Sequence, residues 1–388
     1  MFSSRLPPRL EPNAFSRALA LARADGRVLL DLTQTNPTAI GLPYPPGVVS
    51  SLADPRGATY APDPRGLRPA REAIVAAMDP AAGVTADRVI LTASTSEAYG
   101  FLFKLLCDPG TTVLVPQPGY PLFDLLTALE AVRARPYRLE YHGAWSIDRA
   151  SVEAAIGSDV RAILVVSPNN PTGSRLRRDD RDWLVDLAAR RGIALVADEV
   201  FGEYPLATRP DAVSLLGERR ALTFTLGGLS KSAGLPQLKL AWIAVSGPDA
   251  VVAAALERLD VIADTYLSVS TPVQLAAAAL IEAGRAVRLA VADRLRDNLA
   301  ALRAALVPRP EVALLEPEAG WSAVLRVPAT ASEEALILRA LRHGVVVQPG
   351  YFYDFATEAY LVISLLPARE TFDAGVAALL RALAEGGA

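Results

Sequence analysis

Apolar positions in the central part of the chain form short continuous runs, separated by stretches with helical spacing. Such runs, rich in Val, Ile and Leu and bounded by turn residues, are typical of buried strands. The predicted strands lie at 89–92, 112–116, 131–137, 160–166, 193–197, 222–226 and 240–245. Helices are predicted between them, for example at 98–106 and 178–190. Because strands alternate with helices, we expect an α/β fold with a mostly parallel central sheet covered by helices on both faces.

The pattern changes in the C-terminal third. Two helical stretches, one from 248 to 263 and a long one from 272 past 304, come first. From residue 309 shorter strands and helices alternate, which indicates a smaller α+β unit. Its predicted elements are strands at 321–327 and 360–365, a helix at 332–342 and a closing helix from 369.

Polar or glycine-rich segments follow five of the predicted strands directly. They are 94–97, 117–121, 167–173, 198–204 and the turn that contains Lys231. In a parallel sheet the carboxyl ends of the strands meet at one edge, and ligands bind there. The sequence therefore predicts a ligand site at this edge.

Lys231 lies in a Gly/Ser/Pro-rich turn between two predicted buried strands. Lysine is costly to bury, and a buried lysine with a lowered pKa is the group that forms a Schiff base with an aldehyde. A Ser-Lys pair in a loop is, taken alone, more often an ordinary solvated loop. The two histidines, His142 and His343, lie far apart and argue against a zinc site or a Ser-His-Asp triad. We expect no metal.

Composition narrows the class of protein. The net charge of −3 leaves no basic surplus, so nucleic acid is not an expected partner. Apolar runs stay well short of the ~20 residues of a membrane-spanning helix, so no membrane is expected either. The first residues lack the apolar core of a signal peptide. Cys107 is the one cysteine of the 388 residues, which excludes an internal disulfide and suits a cytoplasmic location.

Three segments in this order and spacing resemble the class I/II aminotransferases, the fold-type I family dependent on pyridoxal phosphate. They are Ser167-Pro-Asn-Asn-Pro-Thr-Gly173, Asp198-Glu-Val-Phe201 and Ser230-Lys231, and the resemblance extends from about residue 28 to 382. It implies that Lys231 forms the Schiff base with the cofactor and later moves a proton. It also implies that Asp198 pairs with the pyridine nitrogen and that Asn170 bonds the phenolic oxygen.

Further cofactor contacts are implied by the same resemblance. Tyr120 matches the aromatic residue stacked on the pyridine ring. Ser94, Thr95 and Ser96 match the segment that binds the phosphate, although three hydroxyl residues at a helix start also fit plain N-capping. Lys239 occupies a position where the family usually has an arginine on the phosphate.

Two residues are expected to act outside this cofactor set. Tyr60 matches a tyrosine that reaches the phosphate of the neighbouring subunit, so the resemblance implies a homodimer with shared sites. Asn36 is the candidate residue for a substrate-binding loop. The implied domains are a large cofactor-binding domain at 48–284 and a small domain at 1–47 and 285–388.

The sequence departs from the family pattern at three positions. Phe201 replaces a tyrosine that bonds the phenolic oxygen, and Gly228 replaces a serine three residues before the lysine. Val362 lies where the family has the arginine that clamps the substrate's α-carboxylate. A valine cannot bind a carboxylate. Arg369, the nearest arginine, is predicted to start a surface helix, and the aromatic segment 351–355 fits either a substrate pocket or the small-domain core.

The resemblance implies a pyridoxal-phosphate-dependent aminotransferase that moves an amino group between an amino acid or amine and a 2-oxo acid. One alternative is a decarboxylase or carbon–sulfur lyase of the same fold, because the way the carboxylate is held determines which bond breaks. Another is a non-enzymatic regulator that senses the cofactor. Such regulators carry a DNA-binding domain first, whereas here the catalytic pattern begins near residue 28.

Overall fold

The central sheet has eight strands in the part of the chain that the computed structural model describes, residues 2–7 and 11–385. Numbered along the described chain, the strands of all its sheets are β1 Leu30–Asp31, β2 Val89–Thr92, β3 Thr112–Gln117, β4 Arg133–Tyr141, β5 Trp145–Ile147, β6 Val160–Val166, β7 Ala194–Asp198, β8 Thr223–Gly228, β9 Ala241–Ser246, β10 Ala313–Leu315, β11 Ser322–Arg326, β12 Val345–Val346, β13 Gln348–Pro349 and β14 Tyr360–Ser364. The central sheet has the order β2-β9-β8-β7-β6-β3-β4-β5. Neighbours from β8 to β4 run parallel, whereas β9 and β5 run antiparallel to their neighbours. The predicted mostly parallel sheet is confirmed.

Helices cover both faces of this sheet. Numbered along the described chain, and including those that pack elsewhere, the helices are α1 Ala14–Ala24, α2 Arg68–Ala76, α3 Thr95–Leu106, α4 Phe123–Leu129, α5 Arg149–Ala155, α6 Arg178–Arg191, α7 Leu229–Ser232, α8 Asp249–Tyr266, α9 Thr271–Leu275, α10 Ala277–Leu306, α11 Glu333–Arg342 and α12 Arg369–Ala384. One face packs against α3 and α8, and the opposite face packs against α5 and α6.

Strand alternation decides which face each side chain occupies. On β7, Ala194 and Val196 pack on the side of α3 and α8, whereas Leu195 and Ala197 pack on the side of α5 and α6. Asp198, at the carboxyl end of β7, is the next alternate residue after Ala194 and Val196. Its side chain therefore lies on the α3 side of the sheet.

A second sheet, within the described C-terminal part of the chain, has four antiparallel strands in the order β10-β11-β14-β13. Its two faces are both buried. Leu361 and Ile363 face a large apolar cluster shared with α1, α11 and α12. Val324 and Val362 face the opposite way, into a smaller cluster with aromatic side chains. The predicted α+β unit is therefore present.

Several predicted boundaries differ from the observed ones. The strand predicted at 131–137 begins at Arg133 and continues to Tyr141, because Ala131 has a left-handed backbone (φ 59°) that ends the preceding turn. The single long helix predicted from 272 is broken at Ala276 into α9 and α10. The predicted domain boundary at 284/285 falls inside α10, and the division into two domains stays a prediction.

Candidate active site

Lys231 lies in α7, a single helical turn that follows β8 directly. The turn is fixed by its backbone. The amide of Leu229 donates to the carbonyl of Leu240 (2.9 Å), and the hydroxyl of Tyr204 donates to the carbonyl of Lys231 itself. The Lys231 Nζ atom lies 4.8 Å from the centre of the Trp321 ring and 5.6 Å from that of Phe201. Its side chain is thus held between aromatic faces.

The surroundings of Lys231 favour its neutral form. Burial lowers the pKa of the Lys231 amine below its ordinary value, and the nearby Asp198 carboxylate opposes this in part. Within the described residues, Nζ has no hydrogen-bond or ion-pair partner. A buried amine without an ion partner is a nucleophile suited to an aldehyde carbon.

Asp198 ends β7 with only 8% of its surface exposed. Its Oδ1 accepts from the amide of Val200 (3.2 Å), and its Oδ2 accepts from the Tyr99 hydroxyl (3.0 Å). Burial raises the pKa of the Asp198 carboxyl, while these two hydrogen bonds and the charge of Lys231 oppose the rise. Each oxygen keeps a lone pair for a further donor.

Tyr120 and Asn170 come from two loops that the adjacent strands β3 and β6 bring together. Tyr120 packs edge-on against Phe123, with the ring centres 5.7 Å apart, and the charge of Asp198 adds to burial in raising its pKa. The Oδ1 atom of Asn170 accepts from the Ser322 hydroxyl at 3.5 Å, which links this loop to the small sheet.

The helix start at 94–97 shows the capping arrangement that the sequence allowed. The Ser94 Oγ accepts from the amide of Glu97 (3.2 Å), and the Glu97 carboxylate accepts from the amide of Ala93 (2.7 Å). Thr95 and Ser96 follow in the first turn of α3. Capping and anion binding are compatible. The positive N-terminal end of α3 and its first backbone amides still point out of the helix, where an anion can bind.

Three further predicted residues form no hydrogen bond with this group among the described residues. Lys239 is exposed and has a left-handed backbone conformation (φ 54°), and Tyr60 has 78% of its surface exposed. Asn36 caps a short turn, its Oδ1 accepting from the amide (3.0 Å) and hydroxyl (2.7 Å) of Thr38. In the described part of the chain, none of these three residues forms a hydrogen bond with Lys231 or Asp198. The nearby Tyr44 hydroxyl does reach the carbonyl of Gly234 (2.6 Å), so the segment after Asn36 borders the lysine turn.

Sequence reasoning missed four residues of the site: Tyr99, Tyr204, Trp321 and Ser322. Tyr99 had a usable signal, since it lies one helical turn after Thr95 in a helix that starts at the predicted site. The sequence gives no such signal for Trp321 and Ser322. Only the folded small sheet brings Trp321 to Lys231 and Ser322 to Asn170.

The residues present fit pyridoxal phosphate. A half-buried amine with a lowered pKa suits its aldehyde, a buried carboxylate with free lone pairs suits its protonated ring nitrogen, and a capped helix start suits its phosphate. Among the residues described, no group of three or more His, Cys, Asp or Glu side chains could hold a metal ion. Over the same residues, no helix is long and apolar enough to cross a membrane.

Comparisons with known proteins show the family of the chain. The family described as aminotransferase class I and II matches residues 35–379. The alanine aminotransferase of Mycobacterium bovis is 29% identical over 262 residues, covering 66% of this chain and 60% of that protein. The S-alkyl-thiohydroximate lyase SUR1 of Arabidopsis thaliana is 29% identical over 248 residues, covering 61% of this chain and 52% of that protein. These matches therefore span about half to three fifths of the relatives' lengths.

The fold is shared with solved structures. That of an alanine aminotransferase from Pyrococcus furiosus superposes with a TM-score of 0.88 at 22% identity, covering 99% of this chain and 100% of that chain. The predicted family and fold are confirmed, and so is the predicted cofactor, because members of the matched family use pyridoxal phosphate. The chain belongs to the class I and II aminotransferases.

Proposed function

We propose that the chain is a pyridoxal-phosphate-dependent aminotransferase, which moves an amino group between a small amino compound and a 2-oxo acid. The observation that carries the proposal is that Lys231 and Asp198 lie near enough for each charge to act on the other without forming an ion pair. A lysine that burial drives toward its neutral form lies near a buried carboxylate at the carboxyl edge of a parallel sheet. Of the two relatives described above, one is named as an aminotransferase and the other as a lyase.

Each residue has a defined task in this proposal. When bound, pyridoxal phosphate supplies an electron-accepting ring that stabilises negative charge on the reacting carbon. Asp198 would hold a proton on the ring nitrogen, because its carboxylate attracts positive charge. Lys231 would hold the cofactor through its aldehyde, and its free amine would accept a proton from the substrate carbon and return it. Asn170 would support the phenolic oxygen with a hydrogen bond.

The aromatic residues around Lys231 limit the access of water to its amine. Trp321 and Phe201 cover Nζ with ring faces, and Tyr204 anchors the backbone beneath it. Lower exposure to water strengthens the attraction between Asp198 and a protonated ring nitrogen. It also lowers the pKa of the Lys231 amine, which favours the neutral form that can accept a proton.

The subunit arrangement is part of the proposal. Tyr60 is far more exposed than a site residue of its own subunit would be, which supports a homodimer in which it reaches the partner's phosphate site. We also propose that Lys239 and the first turn of α3 bind the phosphate, that Asn36 borders the substrate, and that the protein is cytoplasmic. The partly buried free Cys107 is compatible with that location.

Substitution of Lys231 tests the proposal, and the chain offers a clean background because its other lysines are only Lys104 and Lys239. Borohydride reduction of the cofactor-loaded protein is expected to fix the cofactor to the peptide containing Lys231. Lys231→Ala should lose this label and lower the transamination rate by about 10⁴-fold or more. Lys104→Arg, at a surface ion pair with Glu130, is the matched control and should keep both.

The outcomes separate the alternatives. Amino transfer at the former rate by Lys231→Ala would overturn the proposal. Release of carbon dioxide or ammonia with the original cofactor absorbance restored would indicate the decarboxylase or lyase. Cofactor bound at Lys231 without turnover of any amino compound would favour the regulator.

A further inference from the structure

Two aromatic rings face the amine of Lys231. Its Nζ atom lies over the ring of Trp321, 4.8 Å from the ring centre, and 5.6 Å from the centre of the Phe201 ring. Both distances fall within the range of ~6 Å in which an aromatic ring attracts a cation. The attraction arises because the face of such a ring carries partial negative charge. Besides limiting the access of water, these rings are therefore placed to bind the amine once it carries a proton.

The ring of Trp321 is fixed by its neighbours. Tyr204 and Phe201 pack edge-on against it, with ring centres 5.2 Å and 5.5 Å away. The backbone carbonyl of Trp321 accepts from the amide of Leu365 (2.8 Å), and the preceding amide, that of Gly320, donates to the carbonyl of Tyr204 (3.0 Å). With only 2% of its surface exposed, Trp321 presents a ring face that is already in place, so little entropy is lost in using it.

The ionisable groups around the lysine turn leave this interaction to the rings. Burial lowers the pKa of the Lys231 amine, and the Asp198 carboxylate opposes this in part. The other ionisable groups nearby bond to other partners: the hydroxyls of Tyr44 and Tyr204 to backbone carbonyls, the hydroxyl of Tyr99 to Asp198, and the guanidinium of Arg288 to Glu203. Attraction by the ring faces raises the pKa of Lys231 as Asp198 does, without a further ionisable group.

Lys231 carries a positive charge partway through the proposed reaction. When its amine takes the proton from the substrate carbon, the electron pair of the C–H bond stays with that carbon and the amine becomes an ammonium group. The amine is neutral again when the proton is returned. An ammonium group that is shielded from water loses hydration, and this loss must be compensated. Ring faces compensate it because they attract the charge, while they leave the neutral amine free to act as a base.

We propose that Trp321, assisted by Phe201, binds the protonated amine of Lys231 on its ring face and so stabilises the ammonium group that exists between the two proton transfers. Its role in turnover rests on the proposed aminotransferase activity, whereas the contact between ring and amine belongs to the chain alone. Trp321 is a positioning residue, since it acts on the reaction through Lys231. A residue that only covered the amine would act by its bulk, and Trp321 acts by the charge distribution of its ring as well.

Nuclear magnetic resonance of the cofactor-free chain tests the contact directly. The lysines of the chain are Lys104, Lys231 and Lys239, so labelling lysine with carbon-13 at Cε gives one signal for each. The signal missing from Lys231→Ala belongs to Lys231. The current in the Trp321 ring should shift the Cε protons of Lys231 upfield, and Trp321→Leu should remove that shift. A Lys231 signal without an upfield shift in the wild type would overturn the inference.

Fluorinated tryptophans separate the attraction of the ring from its bulk. Fluorine atoms draw electrons away from the ring face and weaken cation binding, while the ring keeps nearly the same size and covers the amine equally well. We expect titration of the Lys231 signal to show proton binding that weakens steadily from tryptophan through its mono-, di- and trifluoro forms, by about five- to tenfold over the series. A titration that does not respond to fluorine would overturn the inference.

Trp321→Phe is the matched control, because fluorotryptophan then enters only positions 145, 183 and 242. The Lys231 titration should stay constant along the series in this background, and an equal response there would overturn the inference. Unchanged Lys104 and Lys239 signals show that each protein is folded.

The cofactor-loaded protein tests the role in turnover. The acid limb of its pH–rate profile should move to lower pH along the same series, because an amine that binds its proton less tightly stays neutral at lower pH. An acid limb that stays in place would overturn this role. Failure of the proposed function looks different, since then no cofactor is fixed to Lys231 and no amino compound reacts, whatever the resonance titration shows.

Discussion

At the scale of single residues, the site brings together two ionisable groups whose surroundings oppose their charges. Burial raises the pKa of Asp198 and lowers that of Lys231, and their mutual attraction only partly offsets this. Burying the charged form of Asp198 therefore costs free energy, and a protonated ring nitrogen beside it would reduce that cost. Part of the cofactor's binding energy is expected to come from this relief.

Asp198→Asn tests this cost through stability. A carboxyl group with a raised pKa binds its proton more tightly when folded, so its contribution to stability falls as pH rises from its ordinary value through the raised one. Asparagine does not titrate. We therefore expect the cofactor-free variant to melt above the wild type by about 1–3 °C near pH 7 and by less near pH 4. Calorimetric melting across pH measures this.

The neighbouring Glu199 provides the control. Burial also raises the pKa of its carboxyl, which accepts from the Ser214 hydroxyl (2.6 Å) and the Leu215 amide (2.9 Å) on the opposite side of the sheet. Glu199→Gln should show a similar pH-dependent gain in melting temperature, yet retain the full rise caused by added cofactor. Asp198→Asn should lose most of that rise and roughly 10²–10³-fold of the transfer rate. An unchanged cofactor response in Asp198→Asn would contradict its role.

At the scale of elements, the sequence predicted what lies within one strand or helix and missed what depends on packing between them. Buried strands such as β6 and β7 were found because continuous apolar runs specify them. The edge strand β5 and the short helix α4 have no such pattern and were not predicted. Motif order located Lys231, Asp198 and Asn170 in the chain, but their surroundings, including the cover by Trp321, required the folded small sheet.

The position of α7, and so of Lys231, depends on close contact with α10. A methyl group added at Gly284 would lie 2.6 Å from the Cα of Ala233, two residues after Lys231. Gly284→Ala should gain about 1 kcal/mol of helix propensity but lose about 1–3 kcal/mol to overpacking. We expect a net loss of thermal stability together with weaker cofactor binding, measured by melting and by cofactor titration.

Gly100→Ala in α3 is the matched control for this packing prediction. The added methyl would lie 3.3 Å from the end of the Glu130 side chain, which can move. The variant should be as stable as the wild type or up to about 1 kcal/mol more stable, with cofactor binding unchanged. Equal behaviour of the two alanine variants would show that the α7–α10 contact does not position the lysine.

At the scale of the whole molecule, we propose that a second copy of the chain completes the site. Within one subunit, the described residues show no hydrogen bond from Tyr60 to Lys231 or Asp198, and its ring is largely exposed on a loop before α2. An exposed tyrosine contributes little to the fold, so its replacement should leave melting unchanged. If it contacts the partner's phosphate site, Tyr60→Ala should weaken cofactor binding by about tenfold or more, as expected for a lost hydrogen bond to a charged group.

Mixed dimers distinguish a shared site from a site within one subunit. Lys231→Ala and Tyr60→Ala are each expected to be impaired at limiting cofactor. In a random mixture, half of the dimers contain one chain of each kind, and in each of these one site carries both wild-type residues. Unfolding and refolding the two variants together should therefore restore about a quarter of the wild-type transfer rate, above the sum of the variants alone. Without such recovery, Tyr60 would act within its own subunit or not at all, and the shared-site homodimer would be wrong.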